Sequence, residues 1–245
     1  MLSVCLQGGI GNQLFQLAFL DYFSKKTGKE KYISSLESPK TEHSNQPYFE
    51  TIFRNWKSLY NEQSSIVVYE NPLLEKQEWN IPTENTMFNG YFQHFEYTDP
   101  VREDFIQKLV FNEKILEKYQ DIQEKIVIHV RGGDYKNNTF HEVNLINYYK
   151  KCIELCKGHS FIITTNDIDY AKQLLQEYDF IEENEVDTLY LMSKAKGVIC
   201  ANSSFSWWGA YLNPNRPIFM PSTWYNDSTI NIKGYCFNGC TIINI

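Results

Sequence analysis

Apolar and polar positions along the chain alternate in blocks that read as strands each followed by a helix. An apolar run at residues 2–6 meets a glycine-rich turn, and residues 12–27 then repeat apolar positions at helical spacing as far as Gly28. Residues 34–47 carry Pro, Ser and Asn and read as a loop, with strands expected at 66–69 and 87–91. A helical stretch over 100–124, broken near Phe111, separates this half from a second one.

In the second half the alternation is cleaner. The pattern predicts a strand at 126–130, a helix over 145–157 closed by Gly158, a strand at 161–165 and a helix capped by Asp167. A further helix, capped by Asp187, runs to about Lys196. A strand at 197–201, a Ser-rich turn, a helix over 205–212 and a strand at 217–220 complete the order. Alternation of this kind predicts an α/β fold with parallel sheets. Two Rossmann-like domains are expected, over 1–118 and over 119–245, the second ending in a C-terminal tail. Facing each other, they would place a ligand between the carboxyl ends of their strands.

Composition narrows the function classes. The chain has 245 residues, 42% of them hydrophobic and 16% aromatic, enough for a large core and against disorder. A formal net charge of -7 argues against a nucleic-acid partner, whose binding surfaces cluster Lys and Arg, but leaves a small phosphate ligand open. No run approaches the about 20 apolar residues of an integral membrane segment, and the N-terminus lacks a signal-like pattern. A soluble, cytoplasmic protein is expected. Its 6 Cys lack zinc-knuckle spacing and read as reduced packing thiols.

Four motifs carry candidate chemistry. GGIGNQ (residues 8–13) sits between a strand and a helix, where backbone N–H groups can meet a phosphate; the rival reading is a tight turn. Leu14 stands where a dinucleotide fingerprint needs its third glycine, which disfavours a nicotinamide-dependent oxidoreductase. HVRGGDY (129–135) places His129 and Arg131 two apart on a strand, hence on one face. Arg131 can fork onto phosphate oxygens and stays charged as a diphosphate leaves; alternatively it forms an ion pair with Asp134.

TTNDID (164–169) puts Asn166 and Asp167 at a strand end. Asp167 is a helix cap, or one of the two accepts hydrogen bonds from a purine, or Asp167 and Asp169 hold a metal. Entry into a helix turns that last pair apart, so no metal is expected. NSSFSWWGAYLN (202–213) opens a helix with Asn202, Ser203, Ser204 and Phe205, a natural cradle for a diphosphate, while Trp207 and Trp208 read as core.

Together with GYFQHFEY (90–97) and DTLYLMSKAKGVIC (187–200), these strings resemble the alpha-1,2-fucosyltransferases of glycosyltransferase family 11 over most of the chain. The resemblance implies a GT-B arrangement and an inverting transfer of L-fucose from GDP-fucose to a glycan hydroxyl without an obligatory metal or other cofactor. It makes Arg131 the contact to the donor diphosphate and His129 a neighbour of the nucleoside. Gly11 and Asn12 would approach the phosphates, Asp167 would meet guanine, and Ser203, Ser204 and Phe205 would surround the diphosphate. Two positions depart from the family pattern: Gly132 replaces a second Arg, and Asn166 stands where an acid is usual.

The partners expected are thus a nucleotide sugar and a glycan acceptor. Asp134, His141 and Glu142 are candidates for the base that takes the acceptor proton. Tyr91, Gln93 and His94 are candidates for the acceptor site, or else part of a packed strand and turn. Without the second Arg, a non-catalytic or altered-donor nucleotide-sugar binding protein is the competing reading.

Overall fold

A computed structural model of the chain describes residues 1–36, 47–63, 65–71, 75–227 and 229–245. The loop expected over 34–47 falls largely on residues 37–46, which lie outside that description. The chain divides into two compact units, Met1–Phe111 with Lys233–Tyr235, and Asn112–Ile232 with Cys236–Ile245.

The first unit begins with β1 (Leu2–Val4) and α1 (Ile10–Thr27), continues through β2 (Ile66–Tyr69) and β3 (Thr86–Asn89), and ends with α2 (Phe95–Thr98) and α3 (Arg102–Lys108). Among the described residues its strands form a parallel sheet in the order β1-β3-β2. Helix α1 buries Leu14, Phe15, Leu17, Ala18, Phe19, Leu20 and Phe23, which leaves it little exposed face. Gly28, in the left-handed region at φ 68°, closes it where the apolar spacing stops.

Phe19 stacks on Phe92 at 4.0 Å and meets Phe88 and Tyr97 edge-on, so α1 is bound to β3 and α2 by aromatic contacts. The one carboxylate buried on α1, Asp21, is matched by Lys31 at 2.5 Å and Lys108 at 2.6 Å. The expected break near Phe111 has a cause: Leu109 turns extended and the N–H of Val110 donates to the carbonyl of Ile52, drawing the chain out of the helix.

The second unit comprises α4 (Ile115–Lys118), β4 (Lys125–Val130), α5 (Ile146–Leu155), β5 (Ser160–Thr165), α6 (Ile168–Leu174), β6 (Asp179–Phe180), α7 (Glu185–Lys194), β7 (Gly197–Ile199), α8 (Ser204–Leu212), β8 (Ile218–Pro221) and β9 (Thr241–Ile243). Among the described residues its strands are all parallel, in the order β6-β5-β4-β7-β8-β9. Ile126, Ile128 and Val130 of β4 pack with Tyr148, Tyr149, Cys152, Ile163 and Ile199. Residues 126–130 of β4 are all buried, as in a strand covered on both faces, and His129 is the polar residue among them.

One expectation is corrected, and two short strands add to the pattern. The cap of α7 is Asn184, whose side-chain oxygen accepts from the N–H groups of Val186 and Asp187; Asp187 lies in the first turn and accepts from the Asn184 amide at 2.6 Å. The residues read as a tail include β9, which pairs with β8, and β6 adds a short edge strand that the apolar pattern does not announce.

Candidate functional site

Because every strand of the second unit runs the same way, the residues following β4, β5 and β7 leave from one end of the sheet. His129 is the penultimate residue of β4 and 2% exposed. Its ring lies 5.4 Å from that of Phe205, at the start of α8. Burial, and secondarily the Arg131 charge, lower its pKa to about 3, so the ring is neutral at physiological pH. Its Nδ1 is buried with no hydrogen-bond partner among the described residues.

Arg131, just past the strand, lays its guanidinium over the Tyr135 ring at 5.0 Å and pairs through Nη2 with Asp134 at 2.8 and 2.9 Å. The side chains of this pair remain 15% and 27% exposed, so the ion pair borders solvent rather than closing inside the core. The Nε of Arg131 is buried and, like Nδ1 of His129, has no partner among the described residues. Unmet polar groups of this kind each cost about 1–3 kcal/mol.

Asn166 and Asp167, after β5, both face the turn that follows Arg131. The Asn166 side-chain oxygen accepts from the N–H of Gly132 at 2.9 Å, and its amide nitrogen donates to the Gly132 carbonyl at 3.3 Å and to Asp134 at 3.4 Å. Asp167 caps α6 by accepting from the N–H of Tyr170 at 3.0 Å, while its other oxygen accepts from Gly133 N–H at 3.1 Å and Lys136 at 3.2 Å. The Tyr170 hydrogen bond is the largest cause holding the Asp167 carboxyl below its usual range. Among the described residues no group of three or more His, Cys, Asp or Glu is placed to hold a metal ion.

After β7, the amide of Asn202 donates to the carbonyls of His141 and Trp224 at 3.0 and 2.8 Å, tying that turn to the segment after Arg131. Ser203, 4% exposed, occupies the N-cap position of α8 without a side-chain capping bond, and Ser204 and Phe205 form the first turn. His141 stacks on Tyr135 at 4.8 Å; burial lowers its pKa, and its Nδ1 has no partner among the described residues. Glu142 accepts from the N–H of Asn137 at 3.0 Å. Arg131, Tyr135, His141, Glu142, Tyr170 and Asn202 are among the residues lining one pocket. The aromatic members Tyr135 and Tyr170 escaped sequence reasoning, since a Tyr in a loop carries no spacing signal.

In the first unit, the glycine-rich turn and the 90–94 segment are stitched together by side-chain amides. Gln93 donates to Asn12 at 2.7 Å and accepts from the Tyr235 hydroxyl at 2.8 Å. Gln16, fully buried on α1, donates to the Gly90 carbonyl at 3.0 Å and accepts from the N–H of Gln7 at 3.0 Å. Gly11 is buried in the first turn of α1. His94 caps α2, with Nδ1 accepting from Glu96 N–H at 3.3 Å, and burial lowers its pKa. Tyr91 is 41% exposed.

Sequence reasoning also passed over Glu70. It directly follows β2, and one of its oxygens accepts from the N–H groups of Tyr91 at 2.7 Å and Phe92 at 2.8 Å. Burial raises its pKa. A carboxylate closing an apolar strand was the available signal.

The first unit thus holds Gly11, Asn12, Tyr91, Gln93 and His94, and the second holds the remaining candidates. Among the described residues no helix is long and apolar enough to cross a membrane.

The chain is 32% identical over 173 residues to an alpha-1,2-colitosyltransferase of Escherichia coli, covering 61% of this chain and 59% of that protein. It is 31% identical over 163 residues to the O-antigen biosynthesis glycosyltransferase WbnK of Escherichia coli, covering 56% of this chain and 54% of that protein. The matched regions thus span little more than half the length of these relatives. Among solved structures, the fucosyltransferase NodZ from Bradyrhizobium superposes with a TM-score of 0.57 at 14% identity, covering 87% of this chain and 93% of that one. NodZ alpha-1,6-fucosyltransferase co-crystallised with GDP gives the same TM-score, 0.57, over 87% and 92% of the two chains, again at 14% identity. That likeness places the fold in the α/β, GT-B-like class. The model of glycosyl transferase family 11 matches residues 1–237, and with the motifs in the order found here, the chain belongs to that family.

Proposed function

We propose that the chain transfers L-fucose from GDP-fucose to a hydroxyl of a glycan, forming an alpha-1,2 linkage with inversion and without a metal. The observation that carries this reading is Arg131: a guanidinium at a sheet end, half engaged by Asp134, with a buried Nε lacking a partner among the described residues. Family membership supports glycosyl transfer, and the GDP and GDP-fucose named for NodZ crystals support the donor class.

In this reading the C-terminal domain (119–245) takes the donor and the N-terminal domain (1–118) the acceptor. Arg131 meets the diphosphate, with Ser203, Ser204 and Phe205 around it, Asn202 holding their turn, and His129 beside the nucleoside. Gly11 and Asn12 approach from the N-terminal domain, where Tyr91, Gln93 and His94 serve the acceptor. The bond from the anomeric carbon to the diphosphate oxygen breaks, its electron pair leaving with GDP, as the acceptor oxygen bonds from the opposite face. The acceptor proton passes to a carboxylate, for which Glu142 and Asp134 are the candidates. Fixed donors aimed at the departing charge are the main catalytic contribution.

A second reading concerns the sugar. One relative is named a colitosyltransferase, so a colitosyl donor competes with fucosyl. The test is nucleotide release from GDP-fucose, a colitosyl donor, GDP-mannose and UDP sugars, with and without chelator. Turnover of GDP-fucose that ignores chelator is expected. Preference for a uridine donor, or strict metal dependence, would overturn the reading.

A further inference from the structure

The turn that carries Arg131 is held from the side by two residues that leave β5. Asn166 uses its oxygen for Gly132 N–H and both polar directions of its amide nitrogen for Gly132 carbonyl and Asp134. Asp167 spends one oxygen on Tyr170 N–H and the other on Gly133 N–H and Lys136. Asp134 in turn holds the Arg131 guanidinium at 2.8 Å, so a continuous hydrogen-bonded path runs from Asn166 to Arg131.

The glycines fit this arrangement. A Cβ on Gly132 would stand 2.7 Å from Asp167 Cβ and 2.9 Å from Tyr170 Cδ1, and one on Gly133 would stand 2.7 Å from the Asn166 amide nitrogen. Gly133 also sits at φ 55°, where a side chain is strained. The turn lies so close to these side chains that a Cβ at either glycine would displace one of them.

A carboxylate that reads guanine offers its two oxygens to the N1–H and 2-amino donors of the base. Here both oxygens of Asp167 already accept from the protein, Oδ1 once and Oδ2 twice, and both N–H groups of the Asn166 amide are engaged. We propose that Asn166 and Asp167 are positioning residues that clamp the turn at Gly132 and Gly133, and so hold Arg131 toward the donor diphosphate, instead of contacting the base. The inference rests on the donor reading above for what Arg131 meets, and on the hydrogen bonds alone for the clamp.

The test compares wild type, Asn166→Ala, Arg131→Ala and the double variant for binding of GDP and of inosine diphosphate, which lacks the 2-amino group. Asn166→Ala is expected to weaken both nucleotides by the same factor, about 10-fold, as expected when a positioned group loses its support. In the Arg131→Ala background the same change should cost nothing further. A changed ratio of GDP to inosine diphosphate affinity, or losses that multiply, would overturn the inference.

Hydrogen exchange supplies a readout free of any nucleotide. Asn166→Ala should speed exchange at residues 131–136 while β4 and β5 keep wild-type rates; unchanged exchange at 131–136 would overturn the clamp. Failure of the wild-type chain to bind GDP would remove the donor reading, and the exchange result would still decide the clamp.

Discussion

Arg131 meets two requirements that few side chains combine: permanent charge and a planar fork. Its Asp134 partner is 27% exposed, so the pair can open toward a ligand at modest cost compared with a pair sealed in the core. Arg131→Ala should lower turnover on the order of 100-fold or more, the usual effect of removing a fixed donor from developing charge. Near-normal turnover in that variant would refute the assignment.

His129 yields a prediction about pH. The folded ring titrates at about 3 and the unfolded ring near 6.5, so below that value the unfolded chain binds the extra proton and the native chain does not. Stability should therefore fall as pH drops from 6.5 toward 3, by up to about 1.4 kcal/mol per pH unit from this group. Thermal melts of His129→Gln should show a shallower acid limb; an identical limb would contradict the burial argument. The place of His129 near the end of a buried strand was legible in the sequence; Arg131, expected on the same strand, follows it. The Asp167 cap of α6 was legible as well; its bonds to Gly133 and Lys136 were not, since a carboxylate at a strand end reads alike whether its remaining partner is a ligand or the protein.

At the scale of elements, the turn after β3 depends on Glu70. Phe92 sits at φ 53°, an uncommon conformation for a bulky residue, and two hydrogen bonds to one Glu70 oxygen help to hold it there while Phe19 stacks beneath. Glu70→Ala leaves two N–H groups without their acceptor and should destabilise the chain by about 1–3 kcal/mol in urea unfolding. If Tyr91, Gln93 and His94 serve the acceptor, the variant should also raise acceptor KM while donor hydrolysis persists; an unaltered acceptor KM would detach the turn from acceptor binding.

Strands of four to six mostly apolar residues were legible, as β2 and β4 show. The edge strands β6 and β9 were not, because their 2 and 3 residues carry no periodicity and pair on one side only. The cap of α7 was misplaced by three positions. Asn184 and Asp187 are both good caps at the right spacing, and the choice is made by where the chain turns, which composition does not record.

At the scale of the whole molecule, strand and helix alternation alone implied two parallel α/β units, since helical crossovers impose parallel pairing. Which unit binds which ligand is a matter of side chains at the strand ends. If the second unit binds GDP, nucleotide at 100 times its dissociation constant should stabilise it by about 2.7 kcal/mol, while NAD and NADP should have no effect. Protection by NAD in place of GDP would revive the oxidoreductase class that Leu14 disfavours.

The most direct measurement is a crystal structure of the chain with GDP bound. Diphosphate oxygens are expected within about 3 Å of the Arg131 guanidinium, beside the first turn of α8. A nucleotide bound elsewhere, with Arg131 still closed on Asp134, would contradict it.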